Sequence, residues 1–147
     1  MDWEQVDEID VVEYLAEVID WHRRDLVPLA AKLEGDDRCR IVQGDCFEWI
    51  RNGSSEHYDA VLIDIDDSPD HLLSPRHDAF YTEAGLADAR RSLRPGGVLA
   101  IWTAGPVLPD FLDRMRRVFS AVEAEAVHFY NPLHSLEDLN TIYVARV

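Results

Sequence analysis

Three carboxylates stand where apolar runs end. Glu13 closes Ile9-Asp10-Val11-Val12, Asp45 follows Cys39-Arg40-Ile41-Val42 within three residues, and Asp64 follows Ala60-Val61-Leu62-Ile63 directly. A carboxylate held at the mouth of a strand can accept hydroxyl or amine protons, or take a proton outright. Glu13 suits the two hydroxyls of a ribose; it equally suits the first turn of a helix, where an acid complements the dipole. Asp45, in Gly44-Asp45-Cys46, can take the exocyclic amine of an adenine, cap the helix that follows, or do both. Asp64 is the catalytic candidate, placed to orient and deprotonate an incoming amine. Asp66 and Asp67 add negative potential for a cationic amine, although the run Asp64 to Asp70 also reads as a solvated turn rich in Asp, Ser and Pro. A divalent metal on Asp64, Asp66 and Asp67 is conceivable, but they lack the glycine and terminal glutamate of a calcium loop, so none is expected.

Other reactive side chains form no recognisable constellation. His71 and His77 flank the acidic loop without a serine or cysteine arrangement that would make a triad, and His22, His57, His128 and His134 are scattered. Cys39 and Cys46 have no paired partner motif, so neither structural zinc nor a disulfide framework is expected, and a reducing cytoplasm is the default. Trp21, Trp49, Trp102 and Phe80 fall on apolar faces and read as core.

The elements that must hold these groups alternate between strand and helix. Ile9 to Glu13 reads as a strand, and Tyr14 to about Leu33 as a helix kinked at Pro28. Cys39 to Val42 is a second strand, and Cys46 to Arg51 a short helix closed by Asn52-Gly53. Ala60 to Ile63 suits a strand buried on both faces of a parallel sheet. Helical spacing resumes from about Arg76 to Leu93 and stops at a turn, Arg94-Pro95-Gly96-Gly97. Val98 to Trp102 is a further buried strand and Pro109 to Phe119 an amphipathic helix. Val122 to Tyr130 and Thr141 to Val147 read as a closing antiparallel pair. The order predicts an α/β fold with a doubly wound, mostly parallel sheet, whose ligands bind beyond the carboxyl ends of the strands.

Composition narrows the function classes. The chain has 147 residues, 14 basic and 29 acidic side chains and a net charge of −15. Residues 1–78 carry 21 acids against 7 bases, while residues 79–147 carry 8 against 7. That balance argues against a nucleic-acid partner, which needs a basic face. The acid-rich half either steers a cationic substrate or serves as a solvated surface. No apolar run approaches the roughly 18 residues of a membrane helix, and Met1-Asp2-Trp3-Glu4 does not read as a signal peptide. One domain over residues 1–147 is expected.

Taken in order, Val11-Val12-Glu13-Tyr14, Asp37 to Asp45, Tyr58 to Asp64 and Leu93-Arg94-Pro95-Gly96-Gly97-Val98 resemble the spermidine synthase-like branch of the class I S-adenosylmethionine-dependent methyltransferases. The resemblance implies a Rossmann-like fold that binds S-adenosylmethionine or its decarboxylated form. It implies that Glu13 takes the ribose and Asp45 the adenine, with a backbone contact at Cys46. Asp64 matches the catalytic aspartate of aminopropyl transfer, and the acidic loop with Asp66 and Asp67 is then the amine side. The chain departs from the family pattern at several points. The family's first strand and glycine-rich motif should precede Glu13, yet no glycine occurs before Gly35. The family's amino-terminal β-domain has no counterpart, the Asp-Pro pair after Asp64 is split, and Gly85-Leu86 stands where the family often carries Phe-Tyr.

On this reading the domain is incomplete at its amino terminus. The strands at 9–13 and 59–64 are then expected to pair directly, or to share sheet edges in a homodimer, because exposed donors in mid-sheet are costly. Two functions remain open: an aminopropyl- or methyltransferase-type enzyme, and a shortened non-catalytic homologue serving as an interaction or nucleoside-sensing module.

Overall fold

The computed structural model describes residues 5–52, 58–65, 67–133 and 135–147. They fall into two compact units, Met1–Trp49 and Ile50–Val147.

In the first unit, β1 (Ile9–Glu13) and β2 (Cys39–Gln43) form a parallel pair, with Ile9 opposite Cys39 and Glu13 opposite Gln43. Arg40 lies along this pair with its guanidinium on the Asp10 carboxylate, at 2.7 and 2.9 Å. The turn into β2 is tied by a second fork. Arg38 reaches both oxygens of Asp36, at 2.9 and 2.7 Å, and also donates to the Val6 carbonyl. These charge-assisted bonds hold the Asp36 carboxyl down at about 2.

The single kinked helix expected from Tyr14 to Leu33 is instead two helices, α1 (Ala16–Arg23) and α2 (Ala30–Glu34). Asp25 and Leu29 both adopt left-handed backbone, at φ of 54° and 69°, and with Pro28 between them no continuous ladder can form. The Asp25 carboxylate then accepts from the Ala31 N–H at the start of α2. Helix α1 buries Ile19, which leaves Trp21 46% exposed and not in the core as expected. Two residues on is about 200° around a helix, so the two side chains face opposite ways. A third helix, α3 (Cys46–Asn52), follows β2.

The second unit carries a four-stranded sheet in the order β3-β4-β6-β5. Strand β3 (Tyr58–Ile63) runs parallel to β4 (Leu93–Ala104), and β6 (Leu136–Arg146) is antiparallel to both β4 and β5 (Ala121–Asn131). Each of the two strands that end in a candidate acid has its own parallel partner. The first strand is bonded to β2 and the second to β4.

The turn expected at Arg94 to Gly97 is a bulge inside β4. Tyr58 pairs with Leu93 and Ala60 with Val98, so one residue of β3 faces four of β4. Gly96 takes φ of +80° there, which its missing Cβ permits, and Arg94 reaches across to Asp59 at 2.7 Å.

Helices α4 (Glu83–Arg91) and α5 (Pro109–Val118) cover one face of this sheet. Leu99, Ile101 and Thr103 of β4 pair with Ala145, Tyr143 and Thr141 of β6, and all six are buried. Against them lie Leu86 and Ala89 of α4 and Phe111 and Met115 of α5, each no more than 1% exposed. Burying a side chain such as Leu86 or Phe111 is worth about 1.5–3 kcal/mol. Phe80, Tyr81, Phe111 and Tyr143 continue edge to face, with centroids 5.1, 5.6 and 5.1 Å apart. Within this unit the opposite face is barer. Leu62 is 73% exposed, so Ala60 to Ile63 alternates and is not buried on both sides as expected.

The helix expected over Arg76 to Leu93 also divides. Pro75–Ala79 forms a 3-10 turn capped by Ser74, and α4 begins at Glu83 behind Thr82, whose hydroxyl accepts from the Gly85 N–H at 3.1 Å. Gly85 is required at this crossing. A Cβ there would lie 2.2 Å from the Ala79 carbonyl oxygen and 2.5 Å from that of Phe80.

Candidate functional site

In the first unit the carboxyl ends of β1 and β2 put two of the expected acids side by side. The Gly44 N–H donates to the Glu13 carbonyl at 3.0 Å, so the backbone steps from Glu13 to the Gly44-Asp45 turn through one hydrogen bond. Glu13 Oε1 accepts from the Leu15 N–H at 2.6 Å. That bond fixes the chain just ahead of α1, whose N-cap residue Leu15 makes no side-chain cap bond.

Asp45 Oδ1 accepts from the N–H groups of Phe47 and Glu48, at 2.9 and 3.2 Å, which caps α3. Each carboxylate therefore spends one oxygen on the fold, and its second takes no bond from the described residues. Hydroxyl and amine donors, the edge groups of a ribose and an adenine, fit that pair. Cys46 stands one step further on and is half-buried.

In the second unit Asp64 follows the last residue of β3. It is exposed, and its side chain makes no hydrogen bond or ion pair with the described residues. Asp66 lies outside the described residues.

Asp67 does not belong to a solvated turn: its side chain is 0% exposed, and its Oδ2 is bonded to His77 Nδ1. The Leu73 N–H reaches the same Oδ2 at 3.4 Å, while the equally buried Oδ1 has no hydrogen-bond partner among the described residues. Ser68 is also buried, bridges backbone to backbone with His71, and donates its hydroxyl to Asp70 at 2.7 Å. Among the described residues no group of three or more His, Cys, Asp or Glu side chains could hold a metal ion.

Sequence reasoning passed over two residues of this unit. His77 was read only as flanking the loop, because ten residues of mixed composition separate it from Asp67 and no periodicity links them. Tyr143 was read as one position of a closing strand. Its ring is fully buried, and its phenolic oxygen accepts from the Leu108 N–H at 2.7 Å, where α5 begins. Burial, reinforced by the nearby charge of Asp70, pushes the phenol up from its ordinary value.

A family model described as the spermine/spermidine synthase domain matches residues 1–132. Putrescine N-methyltransferase 2 of Nicotiana tabacum is 31% identical over 119 residues, which cover 78% of this chain and 32% of that protein. The polyamine aminopropyltransferase of Prochlorococcus marinus (strain MIT 9301) is 26% identical over 151 residues, 92% of this chain and 51% of that one. The chain thus spans about a third to a half of these relatives' length. Among solved structures, a spermidine synthase in complex with the transition state analogue AdoDATO superposes with a TM-score of 0.68 at 18% identity, over 95% of this chain and 44% of that one.

Proposed function

The chain belongs to the spermine/spermidine synthase domain family, and from that premise we propose that it binds an adenosyl sulfonium nucleoside and transfers an aminopropyl or methyl group to an amine. The observation that carries this reading is the placement of Glu13 and Asp45 together beyond the carboxyl ends of β1 and β2, each with one carboxylate oxygen not engaged by the described residues. The domain is of the aminopropyltransferase or methyltransferase type, and no helix among the described residues is long and apolar enough to cross a membrane. Residence in the cytoplasm and the choice of a small cationic amine are parts of the same proposal.

Glu13 holds the ribose hydroxyls and Asp45 the adenine amine, with the Cys46 backbone beside it. S-adenosylmethionine, or its decarboxylated form, supplies a carbon activated by positive sulfur. The remaining work is positioning and one proton. Asp64 orients the amine and takes the proton that nitrogen must shed; the N–C bond forms, the C–S bond breaks, and the electron pair leaves on sulfur. Exposure suits Asp64 to that role, because a base engaged by neighbouring donors would have to be freed first. Asp66 and Asp67 are assigned to the amine side.

The test is calorimetric titration of the 147-residue chain with methylthioadenosine, followed by transfer assays with putrescine. Saturable nucleoside binding that Glu13→Gln weakens, together with turnover that Asp64→Asn abolishes without loss of nucleoside affinity, is the expected result. Full turnover in Asp64→Asn would remove Asp64 as the base. Nucleoside binding with no transfer to any amine would favour the alternative, a nucleoside-sensing module.

A further inference from the structure

We infer that His77 is a positioning residue that aims Asp67 Oδ1 at the ammonium group of the amine substrate, an inference that rests on the amine reading above. The geometry of one buried carboxylate carries it. Asp67 is acceptor-only when ionised, so the proton in its bond to His77 sits on Nδ1. That bond and the Leu73 N–H both end on Oδ2, and Oδ1 is left with none from the described residues although it is just as buried.

A carboxylate serving the fold alone would share its donors between both oxygens, since a buried acceptor without a donor bears its full desolvation penalty. Two donors crowded on one oxygen instead fix the rotation of the carboxylate and single out the other. An oxygen screened from water is a stronger partner for a cation than one in solvent. Asp64 and Asp70, on either side of Asp67 in sequence, set a local charge that selects an ammonium over a neutral donor.

His77 itself lies ten residues from Asp67, in the 3-10 turn that precedes α4, and its backbone N–H donates to the Ser74 carbonyl at 2.9 Å. Its imidazole is therefore placed by a separate element, as a group that orients another must be.

The experiment compares the full chain with His77→Ala, His77→Asn and His77→Gln, using putrescine and methylthioadenosine as separate calorimetric probes and near-UV circular dichroism as the check of folding. His77→Ala is expected to weaken putrescine binding about tenfold or more and to leave methylthioadenosine unchanged. His77→Asn, whose amide N–H occupies the place of Nδ1, is expected to restore putrescine affinity to within about threefold. A purely structural role would weaken both ligands together.

Wild-type putrescine affinity in His77→Ala would overturn the inference while leaving the amine reading intact. A wild-type chain that takes methylthioadenosine but no putrescine would overturn both. Should His77→Ala lose its folded spectrum, His77→Gln decides: it keeps volume but cannot reach the position of Nδ1. Equal putrescine affinity in the Gln and Asn variants overturns the inference, and weaker binding in Gln alone supports it.

Discussion

Tyr143, near the end of the last strand, accepts the backbone N–H of Leu108 at the start of α5, at 2.7 Å. Leu108 has no side chain that can cap the helix, so a phenol 35 residues away satisfies one donor at its entrance. The bond joins sheet to helix in the most buried part of the second unit.

Tyr143→Phe keeps the ring stack but strands the Leu108 N–H. The expected loss is about 1–3 kcal/mol in urea unfolding, with an unchanged m-value. The same phenol sets a limit at high pH. Its folded value is raised, so the linked stability is fully present below the ordinary 10.0 and is lost as pH climbs towards the folded value. Unfolding midpoints of the wild type should fall through that window, and those of Tyr143→Phe should fall less.

At the acid end the pair Asp36 and Arg38 behaves in the opposite sense. The Asp36 carboxyl is depressed from 3.8 to about 2, so its contribution is present above 3.8 and disappears as pH drops towards 2. Carbon-detected titration should find a midpoint near 2 for Asp36. In Arg38→Ala the midpoint should rise but stop short of 3.8, because the backbone N–H of residue 38 still donates to Asp36 Oδ1, and an unmoved midpoint would contradict the guanidinium fork as the main cause.

Gly85→Ala tests the crossing ahead of α4. An added methyl would sit 2.2 Å from the Ala79 carbonyl, against backbone that cannot step aside cheaply. A loss of at least about 2 kcal/mol is expected in denaturant unfolding. An Ala variant of wild-type stability would mean that the start of α4 shifts freely.

Glu13 and Asp45 have structural duties that can be separated from ligand binding. Asp45→Ala removes two bonds at the start of α3 and should cost about 1–2 kcal/mol. Glu13→Ala should cost about 1 kcal/mol and Glu13→Gln clearly less, since the amide oxygen still accepts from Leu15. If both Glu13 variants lose nucleoside affinity to the same degree, the carboxylate charge is what the ribose needs. If only the Ala variant does, the bond to the Leu15 N–H matters more than the charge.

The strand-end acids were legible because a strand's apolar run has a visible end. Glu13 and Asp64 stand there, and Asp45 stands two residues beyond β2. Capping at Asp45 was legible too, from its place before a helical run. The burial of Asp67 was not, since Asp-Ser-Pro composition describes exposed turns and says nothing of a histidine brought back by a 3-10 turn. The division of Tyr14 to Leu33 turned on Asp25 and Leu29 adopting left-handed backbone, which neither residue type announces.

The order of the sheet bears on the sequence of events by which this unit forms. Strands β5 and β6 close across only residues 132–135, whereas β3 and β4 close across residues 64–92. For a flexible chain, bridging 29 residues in place of 4 costs about 1.8 kcal/mol more entropy. The hairpin is thus the element that forms early, on the microsecond scale of local pairing, and β6 becomes the template to which β4 and then β3 are added. Folding speed is expected to be set by this late recruitment. Substitutions along the β3–β4 seam should then accelerate unfolding, while those in the hairpin retard folding.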